Sequence, residues 1–136
     1  MDTVRLSTLR SVLRKVGLAT IAVVAAISPL SAIAKGPVDG AQTVALATLP
    51  PEARQTHRLI LSGGPFPYAK DSSVFSNFER NLPRRERGFY REYTVTTPGS
   101  RDRGARRIVC GGRQPTAPEA CYYTADHYAS FRLIAH

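Results

Sequence analysis

The stretch from Arg91 to Gly111, REYTVTTPGSRDRGARRIVCG, decides how this chain folds. Polar and apolar residues alternate at its start and again at its end, the period of a β-strand with two different faces. Between the two runs, Pro98-Gly99 and Gly104 signal turns. Arg101, Arg103, Arg106 and Arg107 crowd this connection, and Glu92 is the lone carboxylate inside the first run. Two neighbouring antiparallel strands thus carry one acid toward a cluster of guanidinium groups.

Alternation assigns the faces. Tyr90, Glu92 and Thr94 point one way, and Arg91, Tyr93 and Val95 the other. Arg107 and Val109 oppose Ile108 and Cys110 on the next strand. Downstream, CYYTADHYASFRLI (121–134) reads as a third strand, with His127, Ala129 and Phe131 opposite Tyr128, Ser130 and Arg132. SVFSNF (73–78) reads as a strand or loop edge. Upstream, TLPPEARQTHRLILSGG (48–64) predicts one helix, and Thr43 to Ala47 a short apolar strand. Thr48 can cap the helix, Pro50 and Pro51 suit its first turn, and Glu52 suits its positive end. Ala53, His57 and Ile60 or Leu61 recur at helical spacing before Gly63-Gly64 ends it. The expected fold is α+β: one N-terminal helix packed on a twisted antiparallel β-sheet. The helix covers Tyr93, Val95 and Ile108, which leaves Glu92, Arg107 and His127 on the open face.

The first residues belong to no such domain. Arg5, Arg10, Arg14 and Lys15 precede an apolar run, Pro29 breaks it, and Ala32 and Ala34 form a small-residue cleavage site. This is the layout of a secretory signal over residues 1–34. An uncleaved membrane anchor is the other reading of the same segment. Residues 35–42 read as a loose arm, and 43–136 as the domain. Cleavage removes four of the 19 Lys and Arg and one of the 10 Asp and Glu, which leaves a net charge of +6 on a secreted chain without stable membrane association. Such a balance suits a polyanionic partner. Export makes a Cys110–Cys121 disulfide the expected state, with two unlinked thiols as the alternative, and the spacing fits no zinc pattern. Closing so short a loop contributes about 3 kcal/mol in the chain-entropy account.

A carboxylate, an imidazole and arginines converging from separate β-segments suit one metal-free reaction, the transesterification of RNA. Glu92 takes the proton of a ribose 2′-OH, which attacks the adjacent phosphorus. His127 protonates the departing 5′-oxygen and leaves a 2′,3′-cyclic phosphate. Arg103 and Arg107 stabilise the charge that develops on the phosphoryl oxygens. A free glutamate at ~4.3 and a free histidine at ~6.5 leave a window with one ionised and the other protonated. A bell-shaped rate profile on the acidic-to-neutral side is expected.

The segments EYTVTTPGSRDRGARRIVCG, YYTADHYASF, LPPEA, GPFPY and VFSNFE together resemble the small secreted guanyl-specific ribonucleases, the family that includes barnase, and in particular its actinomycete-type members. The likeness runs from about Thr43 to the C-terminus. It implies the same four roles for Glu92, His127, Arg103 and Arg107, no cofactor, and Tyr128 as a further phosphate contact. It also implies a guanine pocket in which Glu79 accepts from N1–H and the N2 amino group. Amides around Ser76, Asn77 and Phe78 donate to O6 there, and the Phe75 ring packs on the base. Cleavage 3′ of guanosine in single-stranded RNA follows, by a monomer whose producer holds a barstar-like acidic inhibitor. Three features depart from the family pattern: Phe78 stands where relatives carry Arg, Ala45 where a cysteine ties down the first strand, and Cys121 lies in a longer hairpin, which implies a relocated disulfide.

Other readings stay beside these. A strand glutamate near arginines is commonly a surface ion pair of little worth. RNLPRRERGF (80–89) reads as a solvated basic loop with RNA backbone contact as the alternative, Arg101 and Arg106 as solvated charge that at most assists RNA attraction, and His57 as packing or surface. A non-catalytic cationic RNA-binding module on the same fold is the alternative function; it predicts binding that survives loss of Glu92 and His127.

Overall fold

A computed structural model describes residues 41–136. The leader read at 1–34, and the arm at 35–42 apart from its last two residues, lie outside the described residues. Those last two residues are not loose: Ala41 packs against an apolar cluster, and the carbonyl of Gln42 accepts from Leu133 N at 2.9 Å.

The described residues form β1 (Thr43–Ala45), a 3₁₀ turn (Leu46–Thr48), α1 (Pro51–Ser62), β2 (Ser73–Val74), β3 (Tyr90–Thr94), β4 (Arg107–Gly111), β5 (Ala120–Thr124) and β6 (Arg132–Ala135). The six strands make one sheet in the order β1-β6-β5-β4-β3-β2. Every pairing is antiparallel except β1 with β6, so the sheet is mixed where an antiparallel one was expected. The helix that follows β1 leads toward β2 at the opposite edge of the sheet, and the strands then run back until β6 lies alongside β1.

The helix starts later than its sequence implies. Thr48 does not cap it, because its hydroxyl donates to the Ala45 carbonyl at 2.8 Å and closes the 3₁₀ turn. Pro50 takes the cap position with φ −52° and ψ 148°, since a residue before proline is kept out of the helical region. The C-terminal end matches its glycines. Gly63 adopts φ 80°, its N–H bonds to Ile60 O, and Gly64 N–H reaches back to Leu59 O, the paired bonds of a Schellman ending. Ala53, Thr56, His57 and Ile60 form the buried face, while Leu61 stays outside. Burying Ile60 alone contributes roughly 1.5–3 kcal/mol.

This face meets Tyr93, Val95, Ile108, Tyr123 and Ile134, the helix side of the sheet. The Thr56 hydroxyl donates to Thr94 O at 3.0 Å and fixes the helix against β3. Cys110 and Cys121 are register partners on β4 and β5 and are joined as a disulfide within the same core. The opposite side is also apolar over much of its area: Leu82, Phe89, Tyr90, Val109 and Tyr122 form a second core under the long connection from β2 to β3. Gly111 belongs there because a Cβ at that position would collide with the Phe89 ring.

The third strand read from 121–134 is two strands. The run breaks after Thr124 and resumes at Arg132, and the residues between form a loop. His127 and Tyr128 both take positive φ, 54° and 70°, so period-2 alternation does not hold across them.

Candidate active site

Adjacent strands deliver the first two groups. Glu92 lies on β3 opposite Val109, and Arg107 on β4 opposite Thr94, both on the side away from α1. One Glu92 oxygen, Oε1, accepts from Nη2 of Arg103 at 3.2 Å, and Oε2 accepts from the Tyr128 hydroxyl at 2.5 Å. Hydrogen bonds onto an ionised carboxylate are stronger than neutral ones. Arg103 is held in turn through its Nε on the Thr94 hydroxyl at 3.0 Å.

Arg107 is buried, with only 2% of its surface exposed. Its Nη1 donates to the carbonyls of Arg103, Gly104 and Arg106 at 3.2, 2.9 and 2.8 Å. Its Nε donates to the Tyr128 hydroxyl at 3.1 Å. Tyr128 is therefore the hub: its hydroxyl accepts from Arg107 and donates to Glu92. Burial pushes its phenol above the ordinary value, and the bond to Glu92 adds to that shift.

His127 sits on the loop after β5, exposed, with its ring 4.9 Å from the Tyr128 ring. Glu92, Tyr128 and His127 thus share one side of the sheet, although alternation put Tyr128 opposite His127. The left-handed backbone at both residues breaks the alternation, and both residues line one cavity. The His127 N–H donates to Ala105 O at 2.9 Å, which ties the histidine loop to the turn that carries the arginines.

Asp126 builds this loop, and sequence reasoning passed over it. Its Oδ1 accepts from the Thr124 hydroxyl at 2.8 Å and from Ser130 N at 2.9 Å, and Oδ2 accepts from the Ser130 hydroxyl. The Ser130 side chain foremost, then the Ser130 amide and Thr124, hold the Asp126 carboxyl down to about 2. A Thr, an Asp and a Ser within seven residues are the side chains that hydrogen-bond local backbone, so the signal was present.

The segment 75–79 lines a cavity of about 510 Å³ with Asn81, His127, Tyr128 and Ala129 on its other side. Phe75 stacks on Tyr128 with centroids 5.2 Å apart and meets Phe131 edge-on, so it is already part of an aromatic cluster. Asn77, at φ 50°, closes its own loop: Nδ2 donates to Leu82 O at 2.9 Å and Oδ1 accepts from Leu82 N at 3.1 Å. Ser76, Phe78 and Glu79 are exposed around the mouth. Asn81, also missed in the sequence, donates to Tyr128 O at 3.2 Å and to Glu79 Oε2 at 3.5 Å, so it links the two walls. All the residues singled out on 75–79 meet at this cavity; Glu92 and Arg107 do not line it but bond to Tyr128, which does, and Arg103 lies one bond further, on Glu92.

The sequence pattern of the ribonuclease family matches residues 34–135. The chain is 54% identical over 96 residues to guanyl-specific ribonuclease Sa of Kitasatospora aureofaciens, covering 71% of this chain and 96% of that protein. It is 51% identical over 98 residues to guanyl-specific ribonuclease St of Saccharopolyspora erythraea, 72% of this chain and 92% of the relative. A crystal structure of ribonuclease Sa2 with guanosine-2′-cyclophosphate superposes with a TM-score of 0.63 at 43% identity, over 70% of this chain and 96% of the other.

Proposed function

The chain belongs to the ribonuclease family, and from that premise we infer how its own residues perform the reaction. It is a guanyl-specific endoribonuclease that cleaves RNA by transesterification through a 2′,3′-cyclic phosphate. In our reading Glu92 is the general base toward the 2′-OH, and His127 is the general acid toward the leaving 5′-oxygen. Arg103, Arg107 and Tyr128 hold the phosphate. The observation that carries this assignment is the bonded set Arg103–Glu92–Tyr128–Arg107 with His127 against the Tyr128 ring. Glu92, Arg107 and His127 all meet the single side chain Tyr128, and Arg103 bonds to Glu92, a grouping that fits one phosphodiester.

Glu79 and the amides of Ser76 to Phe78 face the guanine in the adjoining cavity, where a carboxylate opposite two donors rejects adenine. Phe75 has one ring face on Tyr128 and offers the other to the base. The enzyme is exported by a leader at residues 1–34 that is then removed, and it acts as a monomer on single-stranded RNA. The +6 exported charge also suits an acidic inhibitor of the barstar type, and sedimentation of the exported chain alone and with such a protein tests both points.

The deciding experiment incubates the purified chain with GpU and ApU dinucleotides, with and without chelator. Rapid conversion of GpU to guanosine 2′,3′-cyclic phosphate, insensitive to chelator, is expected. Equal cutting of ApU removes the guanine assignment. Salt-sensitive binding of RNA with no cleavage at all favours the binding-module reading instead.

A further inference from the structure

The guanine cavity has a neighbour. Phe75, Ser76, Asn77 and Phe78 also wall a second groove of about 430 Å³, whose other side carries Arg80, Arg84, Arg85 and Arg87. Against these four cations it holds a single acid, Glu86. None of the residues given to acid–base chemistry lines it. At the shared wall stands Phe78, 91% exposed. A lone exposed apolar side chain needs no explanation. An aromatic ring left bare on the ridge between a base cavity and an arginine groove has the make-up of a stacking platform in single-strand binding, a π-face beside a cationic track.

We propose that this groove is a subsite for the nucleotide on the 5′ side of the cleaved guanosine. The inference rests on the guanyl-ribonuclease reading and deepens it. With guanine in the first cavity, its 3′-phosphate lies toward Glu92, Tyr128 and His127. The 5′ side of the same nucleotide therefore leads away from them, over the ridge, into the groove. The phosphate 5′ of guanosine meets Arg84 and Arg87, and the upstream base stacks on Phe78. Arg85 lies over the Phe89 ring at 4.7 Å and anchors the groove wall to the core beneath. An acidic protein would be drawn by the same arginines. RNA is favoured because the groove continues the wall of the base cavity and presents a flat ring at its lip.

The test measures binding of two uncleavable oligonucleotides that carry 2′-deoxyguanosine at the cutting position, (dG)pU and Ap(dG)pU, with GpU cleavage followed in parallel. The longer one is expected to bind about tenfold tighter, or ~1.4 kcal/mol, within the range of one stacked base. Arg84→Gln with Arg87→Gln should erase most of that gain and flatten its salt dependence, with GpU cleavage unchanged. Phe78→Leu should abolish any preference for an upstream adenosine over uridine. Equal binding of the two oligonucleotides overturns the proposal. So does a double variant that keeps the gain but loses affinity for polyglutamate, which makes the groove a protein site. If GpU is not cleaved yet the tenfold gain persists, the subsite stands and the catalytic reading falls.

Discussion

Glu92 and Arg107 stand on the adjacent strands β3 and β4, whereas His127 and Glu79 stand on loops, and the two pairs are fixed by different means. The strand pair is set by a continuous ladder from Tyr90–Gly111 to Thr94–Arg107, with apolar cores on both faces. No side chain there has to force the backbone. The loops depend on residues in the left-handed region, Asn77 and Arg80 in one, His127 and Tyr128 in the other. Each such non-glycine residue costs about 1–2 kcal/mol. Local side-chain bonds offset that cost, those of Asn77 to Leu82 and those of Asp126 to Thr124 and Ser130. The proposed base and Arg107 are thus built into the scaffold, while Arg103, the proposed acid and the proposed base-reading carboxylate stand on loops, the last two on loops stapled around strained backbone.

The largest effect should ignore that division. Glu92→Gln and His127→Ala are each expected to slow GpU cleavage by about 10²–10⁴-fold, with guanosine 3′-monophosphate binding kept within a few-fold. A loss under tenfold for either one would break the equivalence of strand and loop in the chemistry. The next change acts on the scaffold alone. Cys110→Ser with Cys121→Ser should lower stability by about 3 kcal/mol and the melting midpoint by roughly 10–20 °C. GpU turnover at 25 °C should hold, because the disulfide lies in the helix-side core.

A loop-side change should show the reverse pattern. Asp126→Ala frees the segment that presents His127, and about a tenfold fall in kcat is expected with a small shift in melting. Loss of stability with kcat intact would mean that the loop holds its shape without Asp126. The smallest effect lies under the helix. His57 is 2% exposed, and burial first, then His136, push its imidazole below the ordinary 6.5. The unfolded chain therefore binds the extra proton first, so stability falls as pH drops through about 6.5 toward the folded-state value. Melting between pH 7.5 and 5.5 should flatten in His57→Gln, while the pH profile of GpU cleavage stays the same.

The same division governs what the sequence revealed. The faces of β3 and β4 were legible because Tyr93, Val95 and Ile108 alternate strictly with Glu92, Thr94 and Arg107. The helix end was legible because two glycines fit a left-handed termination. The helix start was not, since Thr48 has a backbone carbonyl within closer reach. CYYTADHYASF alternates too, but its apolar pattern comes from rings that pack around a turn, Tyr128 near Phe131 and both on Phe75. Period alone cannot separate that cluster from a strand. The parallel β1–β6 edge was hidden because strand order depends on where the helix sends the chain, which no local pattern encodes.

Arg107 ends up as part of the framework of the turn from Arg103 to Arg106, whose carbonyls it gathers on one nitrogen. A lysine there would keep the charge and lose the fork that spans three carbonyls and a phenol at once. The rotational freedom of this cation is surrendered while the protein folds, so the phosphodiester proposed to bind there would meet a side chain already fixed in place.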